Sequence, residues 1–227
     1  MEPPDERKDL TYEELRAFYA KFRGLCGGAV TDYHCAQSHG GRVKALESIL
    51  EYSYDALVRN RHLNQSHSED ALTTGIIEQL ALLRIEASHD TQDGGHCDIL
   101  IKGDDHFCWI AEAKLHRDYT WLVKGFLQLR TRCSNSVYGR DHGEILIYCR
   151  AKRAAEVLAN WKEQLTTNIE DIVVFEDKID TRLWFRSHHT CNSSGNRFFI
   201  RHRIVPLYWA PEDRDVRRRK AASDAYN

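Results

Sequence analysis

Hydrophobic residues recur at helical spacing along the first part of the chain. The segment YEELRAFYAKFRGL is followed by a glycine-rich break (CGGAV, SHGGR) and by VKALESILEYSYDALV. The strongest helical pattern is SHSEDALTTGIIEQLALLRIEA, which is apolar on most sides and predicts a largely buried helix. An S-x-x-E capping box of Ser66 and Glu69 marks its start, with Ser68 as a second candidate cap. We therefore predict an N-terminal helical segment over residues 1–64, followed by this helix.

Short apolar runs dominate the rest of the chain. CDILIK and CWIAEAK are typical of two strands joined by the turn GDDHF, and EILIYC and DIVVFED predict further strands. Helices are predicted in YTWLVKGFLQLRTRC and AKRAAEVLANWKEQL, and TRLWFRSHH and RFFIRHRIV flank the turn-like TCNSSGN. This order predicts one α/β domain over residues 1–227, with a mixed β-sheet flanked by helices. Its core is expected over 66–176, a C-terminal β-hairpin over 181–209 and a polar, basic tail over 210–227.

Charge and composition narrow the classes of function. The formal net charge is −2, which argues against strong non-specific binding to nucleic acid but leaves room for a local basic groove. The N-terminus MEPPDERKDL is charged where a secretory signal would be apolar, and no apolar run is long enough to span a membrane. Seven cysteines form an odd set without a CxxC pair, as in a reducing compartment. We expect a cytoplasmic protein that does not contact a membrane.

Two groups of histidines and cysteines are candidate zinc ligands. They are Cys26, His34, Cys35 and His39, and the group His188, His189 and Cys191. Neither group has the spacing of a known zinc finger. The sequence therefore favours a site made of other residues.

The strand CWIAEAK carries a glutamate and a lysine on one face, because residues two apart point to the same side of a strand. If Lys102 pairs with Cys108 across a five-residue loop, the antiparallel register places Asp98 opposite Glu112. Facing carboxylates repel by up to about 1 kcal/mol, and their apolar strands add desolvation. A divalent cation such as Mg²⁺ would turn this repulsion into coordination, with Lys114 beside it. The alternative is a solvated strand edge with a weak ion pair.

These residues resemble the PD-(D/E)XK nuclease superfamily. Asp98 lies on one predicted strand and Glu112-Ala113-Lys114 on the next, followed by a helix and a further strand. The resemblance covers about residues 66–150 and implies a restriction-endonuclease-like fold, dependence on Mg²⁺ or Mn²⁺, and cleavage of nucleic acid. It implies metal-ligand roles for Asp98 and Glu112, and a water- or phosphate-positioning role for Lys114.

The match has two departures and one further correspondence. Cys97 stands where the family is named for a proline, and Arg132 stands where several members have a tyrosine. Gln128 matches a glutamine that many members carry on the helix after the E-x-K motif. The resemblance implies that Gln128 positions substrate, and the alternative is an exposed helix glutamine.

Family members often supply a third acidic ligand from the helix before the two strands. Glu69, Glu78 and Glu86 are the candidates. At about 100° per residue, Glu69 falls on the apolar stripe of that helix, whereas Glu78 lies almost opposite and Glu86 just beyond the edge. We therefore predict Glu69 as a metal or water ligand, with the Ser66 capping box as the alternative role.

The expected function is metal-dependent hydrolysis of phosphodiester bonds, with DNA favoured over RNA, in a prokaryotic restriction or antiphage defence system. The chain has no room for a motor or a substantial sensor domain, so such functions would come from a partner subunit, and a homodimer is also compatible. One alternative is a non-catalytic or partner-activated nucleic-acid-binding subunit of a defence complex. Another is a toxin-like ribonuclease. A competing nuclease chemistry is a histidine-based ribonuclease site made of SHH (187–189) and RHR (201–203).

Overall fold

Among the residues that the structure describes, four helices precede the sheet, one more than the three that the helical spacing predicts. They are α1 (Tyr12–Ala20), α2 (Cys26–His34), α3 (His39–Arg59) and α4 (Glu69–Leu82). The computed structural model describes residues 11–21, 26–89, 91–92, 96–133, 135–175 and 183–213. The predicted break at CGGAV is wrong, because these residues begin α2, whose apolar side chains pack against the core formed with α3. The second break, SHGGR, is the start of α3, where the Ser38 hydroxyl accepts a hydrogen bond from the backbone of Gly41.

Seven strands form one mixed sheet in the order β1–β4–β5–β6–β9–β8–β7. Strands β5, β6 and β9 run parallel, and the other neighbours are antiparallel. This confirms the predicted α/β class and the C-terminal hairpin, which is β8–β9. The strand bounds are β1 (Glu86–Ser88), β2 (Thr91–Gln92), β3 (His96–Cys97), β4 (Ile99–Lys102), β5 (Cys108–Leu115), β6 (His142–Cys149), β7 (Val173–Phe175), β8 (Trp184–Thr190) and β9 (Arg197–Pro206).

Two further helices connect the strands, α5 (Tyr119–Gln128) and α6 (Ala154–Asn168). The predicted helix after β5 continues as a π-helical turn over Leu129–Cys133. Strands β2 and β3 form a separate two-stranded ladder. The basic stretch predicted over 214–220 lies outside the described residues.

Both faces of the central strands are buried, which accounts for their nearly continuous apolar sequences. Trp109, Ala111 and Ala113 of β5 belong to the core beneath α3 and α4. Ile110 belongs to the opposite core, beneath α5 and α6. Because side chains alternate along a strand, Glu112 and Lys114 share the Ile110 face, on the α5 side of the sheet.

The predicted register between β4 and β5 is confirmed. Lys102 pairs with Cys108, and the ladder runs to the pair Ile99–Ala111. One further step places Asp98 opposite Glu112. Asp98 itself lies at a bend between β3 and β4, so the antiparallel pairing ends there.

The predicted helix over 66–87 is too long. It ends at Leu82, and Glu86–Ser88 forms the edge strand β1 paired with β4. Arg84 has a φ of 60°, a left-handed conformation that a continuing helix cannot contain. The helix is also less buried than predicted, since Leu82 is 84% exposed. Among the described helices, none combines the length and the apolar character needed to cross a bilayer.

Two histidines of the C-terminal hairpin are buried beneath α5 and α6. His202 accepts a hydrogen bond from Trp161 at 3.2 Å, its Nε2 lies 2.7 Å from the Ser187 hydroxyl, and its ring stacks on Phe185. Burial lowers the pKa of His202 to about 3 and that of His189 to about 4. Both rings are therefore neutral core residues, which argues against the histidine-based ribonuclease site.

We predict that these rings make the protein sensitive to mild acid. The unfolded chain binds protons near pH 6.5 and the folded chain only near pH 3–4, so stability falls as the pH drops through this interval. From pH 7 to pH 5 the loss for His202 is on the order of 1–2 kcal/mol. Urea denaturation at both pH values should show a smaller loss for His202→Gln than for the wild type. His62→Gln, at an exposed ring, should keep the wild-type loss, and equal losses in all three proteins would contradict the prediction.

Candidate active site

Three carboxylates converge on the ammonium group of Lys114. Its Nζ lies 2.6 Å from Glu112, 3.4 Å from Asp98 and 3.5 Å from Glu69. The same Nζ donates a hydrogen bond to the carbonyl oxygen of Ala113 at 2.9 Å. The structure therefore brings together the four residues that the sequence nominates from α4, the start of β4 and β5.

The end of β4 explains how two of the acids are held. Ala113 and Leu115 have backbone N–H groups on the same side of β5, and the ladder with β4 stops at Ile99. The Asp98 carboxylate accepts the Ala113 N–H at 2.8 Å, and the Glu69 carboxylate accepts the Leu115 N–H. Side chains thus replace the missing strand as hydrogen-bond acceptors.

The predicted Ser66–Glu69 capping box is wrong. Ser68 caps α4 by accepting a hydrogen bond from the backbone of Ala71 at 3.1 Å. The Glu69 carboxylate instead turns towards β5 and Lys114. The other acidic candidates are remote from this role, because Glu78 is an exposed residue of α4 and Glu86 an exposed residue of β1.

Burial makes this cluster electrostatically unusual. The side chains of Glu112 and Lys114 are only 3% and 5% exposed. Burial and, after it, the charge of Asp98 raise the pKa of Glu112 to about 7, against the opposite effect of Lys114. Burial also raises the pKa of Glu69. Burial alone would lower the pKa of Lys114, but the carboxylates of Asp98 and Glu112 outweigh it and hold that pKa above its usual value. One ammonium group therefore faces three acids.

One carboxylate oxygen of Glu112 is available to a cation other than Lys114. Its Oε2 is buried and has no hydrogen-bond partner among the described residues, whereas its Oε1 contacts Lys114. Glu69, Asp98 and Glu112 offer carboxylate oxygens, the ligands that Mg²⁺ and Mn²⁺ prefer. Their oxygens do not all lie within 4.8 Å of one another, so the three side chains would have to draw together around an ion. Such an ion would compete with Lys114 for these oxygens, and the four-carbon stem of the lysine allows its Nζ to shift.

Helix α5 packs on the stem of Lys114 through a glycine. A Cβ atom at Gly125 would lie 2.8 Å from the Cγ atom of Lys114, closer than real Cβ contacts. The glycine thus allows the helix to approach β5 closely enough to hold the lysine. The sequence pattern of α5 gives no direct sign of this contact.

A rim of cations around the Trp121 ring adjoins the cluster, and no pattern in the sequence points to it. The Arg117 guanidinium lies 4.0 Å from the ring centre of Trp121, and the Nζ atoms of Lys124 and Lys114 lie 5.1 and 5.6 Å from it. Arg117 and Lys124 are exposed. Gln128, at the end of the same helix, has a buried Oε1 without a hydrogen-bond partner in the described part of the chain. Its substrate-positioning role stays a prediction.

A second group of side chains could hold a metal ion. The sequence does not predict that these side chains lie close together. In the described ranges, the ligand atoms that lie within 4.8 Å of one another belong to His39, Asp141 and His142. Neither zinc group suggested by the sequence is brought together there. Burial would raise the pKa of Asp141, but hydrogen bonds to His142 and His39 outweigh it and hold that pKa well below its usual value.

We predict that Gly125→Ala displaces Lys114 and lowers the free energy of unfolding by about 1–3 kcal/mol, as overpacking of a buried contact does. Gly75→Ala is the matched control, because it lies in α4 with nothing within 4 Å of the added Cβ. The control should gain up to about 1 kcal/mol from helix propensity. Urea denaturation measures both, and equal stability of the two variants would refute the close contact.

The carboxylates, the lysine and the rim lie at one end of the sheet, where β4 stops pairing with β5. This arrangement offers oxygen ligands for a cation and, beside them, exposed positive charges. Comparisons with protein-family models, with curated proteins and with solved structures find no match to this chain.

Proposed function

We propose that this chain is a Mg²⁺-dependent nuclease of the PD-(D/E)XK type that hydrolyses phosphodiester bonds of DNA. The observation that carries the proposal is the convergence of Glu69, Asp98 and Glu112 on Lys114, with a buried oxygen of Glu112 lacking a partner among the described residues. A carboxyl group with a strongly shifted pKa, such as that of Glu112, beside a lysine is typical of functional sites.

The order of elements around the cluster also supports a restriction-endonuclease-like fold. Helix α4 is followed by the antiparallel strands β1, β4 and β5, then by α5 and by β6, which is parallel to β5. Glu112 and Lys114 lie on β5 and Asp98 immediately precedes β4, so the D…E-x-K residues lie at the end of the central antiparallel pair of this unit.

The residues divide the chemistry between them. Glu69, Asp98 and Glu112 would hold the ion, which when bound supplies Lewis acidity and a more acidic water. Lys114 stays protonated at neutral pH because the neighbouring carboxylates raise its pKa. It is therefore suited to stabilise negative charge on the phosphate rather than to remove a proton. Asp98 is held for its role by the Ala113 N–H.

The rim suits a polyanionic substrate. Arg117 and Lys124 are exposed cations beside the Trp121 ring, whose centre also lies 5.6 Å from the Nζ atom of Lys114. Arginine and lysine contacts to phosphates provide most of the sequence-independent affinity for nucleic acids. We propose that these two residues bind phosphates that flank the scissile bond.

Two other functions compete with this proposal. A binding subunit without catalytic activity would gain nothing from a buried glutamate whose pKa is raised to about 7, so the cluster favours catalysis. RNA cleavage by the same cluster is the other alternative, and the choice of DNA rests on the resemblance. A restriction or antiphage system, with a partner subunit for sensing or motor function, is the setting that we propose.

Asp98→Asn and Glu112→Gln should each reduce cleavage by roughly 100-fold or more, since each removes a charged ligand but keeps its shape. The assay is incubation of the purified chain with supercoiled plasmid, linear DNA and RNA, in Mg²⁺, Mn²⁺ or EDTA. Wild-type cleavage of DNA should vanish in EDTA, and Glu78→Gln, on the exposed face of α4, should remain fully active. Metal-independent cleavage, or full activity of either site variant, would reject the site, and cleavage of RNA alone would reject the proposed substrate.

Arg117→Ala should weaken binding of a labelled DNA duplex and reduce the slope of log K against log salt by about 0.9 for each phosphate that the variant no longer neutralises. Fluorescence anisotropy in EDTA measures both quantities without cleavage. Arg153→Ala is the matched control, because the Arg153 side chain is 76% exposed beside the start of α6 and pairs with Glu156. If Arg117→Ala binds with the affinity and slope of Arg153→Ala, the rim does not contact DNA.

A further inference from the structure

A group of ligand-type side chains lies at the other end of the strands that carry the Lys114 cluster. His39 is the first residue of α3, and Asp141 and His142 lie at the start of β6. Lys114 pairs with Ile147 of β6, five residues after His142. At about 3.3 Å per residue, roughly 16 Å of strand separates the two sites. The group is therefore independent of the proposed nuclease site.

The three ligand atoms form a small triangle. The Oδ1 atom of Asp141 lies 2.6 Å from Nε2 of His39 and 2.7 Å from Nδ1 of His142, and these two nitrogens are 3.3 Å apart. Neighbouring ligands of one ion with bonds of about 2.1 Å are separated by roughly 3.0–3.4 Å in octahedral or tetrahedral geometry. A shift of a few tenths of an ångström in the two oxygen–nitrogen distances would suffice to bind an ion.

The donor set selects the class of metal. Two imidazoles and one carboxylate suit first-row transition ions, whereas Mg²⁺ and Ca²⁺ prefer oxygen ligands. Without a metal, His39 Nε2 and His142 Nδ1 must both donate a hydrogen bond to Oδ1 of Asp141, although the two nitrogens lie only 3.3 Å apart. A divalent cation would instead use one lone pair from each of the three side chains.

The ligands are held by their surroundings. The ring of His142 stacks on Phe199 at 5.1 Å, and the ring of His39 packs against Phe107 at 5.4 Å. The Asp141 carbonyl oxygen accepts the Phe199 N–H at 2.8 Å, which fixes the backbone beside the carboxylate. Binding would therefore require little loss of side-chain freedom.

We propose that His39, Asp141 and His142 bind one first-row transition-metal ion, of which Zn²⁺ is the representative. The three side chains are 17%, 31% and 24% exposed, so water or an anionic ligand can complete the coordination. His142 also lines a groove of about 890 Å³, whose lining includes both cations, such as Lys44, and acids, such as Glu47, which pairs with Arg186. Three protein ligands with further positions accessible are the arrangement of catalytic rather than structural zinc sites.

The test is a titration of the full chain, stripped with EDTA and dialysed, with Co²⁺ and then Zn²⁺ at pH 7.5. One equivalent of Co²⁺ should give visible d–d absorption, which Zn²⁺ should abolish by displacement. His39→Ala and His142→Ala should each lose at least about tenfold in affinity for Zn²⁺ by calorimetry. Asp141→Asn, which can still accept hydrogen bonds, provides a second variant if an alanine variant does not fold.

Two controls separate this site from others. His188→Ala, at a half-buried ring that packs against Phe175, should bind Zn²⁺ as the wild type does. Glu112→Gln should also keep this binding, so a failure of the nuclease proposal leaves this one standing. Absence of binding to the wild type, or wild-type affinity in folded His39, His142 and Asp141 variants, would show that the three residues form only a hydrogen-bonded group.

Discussion

The burial of the Lys114 ammonium group among carboxylates is the interaction on which the candidate site depends. Removing an ion from water costs several kcal/mol, and nearby opposite charges must offset this cost. Lys114 has Glu112 at 2.6 Å and two further acids within 3.5 Å. These charges keep the lysine protonated, while burial and the charge of Asp98 raise the pKa of Glu112 to about 7, so Glu112 binds a proton part of the time at neutral pH. A divalent cation would take the place of that proton.

The sheet builds this cluster by ending one strand early. The ladder between β4 and β5 stops at Ile99, and carboxylates from Asp98 and Glu69 occupy the acceptor positions along β5 that a longer β4 would fill. On the other side of the lysine, Gly125 allows α5 to pack on its stem. Elements α4, β4, β5 and α5 thus come together around the side chains of Glu69, Asp98, Glu112 and Lys114.

Local patterns in the sequence predict much of this site, but they do not predict contacts between segments that are far apart in the chain. The five-residue loop after Lys102 predicts the pairing of Asp98 with Glu112, and helical spacing places Glu69 on the inner side of α4, because both inferences need only local geometry. The edge strand β1 was missed because Glu86 and Ala87 continue the helical spacing of the preceding segment and Ser88 begins a stretch typical of a turn. The group at His39 could not be found by spacing, since 102 residues separate His39 from Asp141.

Anomalous scattering from crystals grown with Mn²⁺ tests the central claim most directly, because it locates the ion without relying on activity. We expect an anomalous peak with carboxylate oxygens of Asp98 and Glu112 within about 2.1–2.3 Å, Glu69 nearby and the Lys114 ammonium displaced from Glu112. The peak should disappear from crystals of Glu112→Gln. A saturated crystal without density between these carboxylates, or with manganese only at His39, Asp141 and His142, would contradict the account.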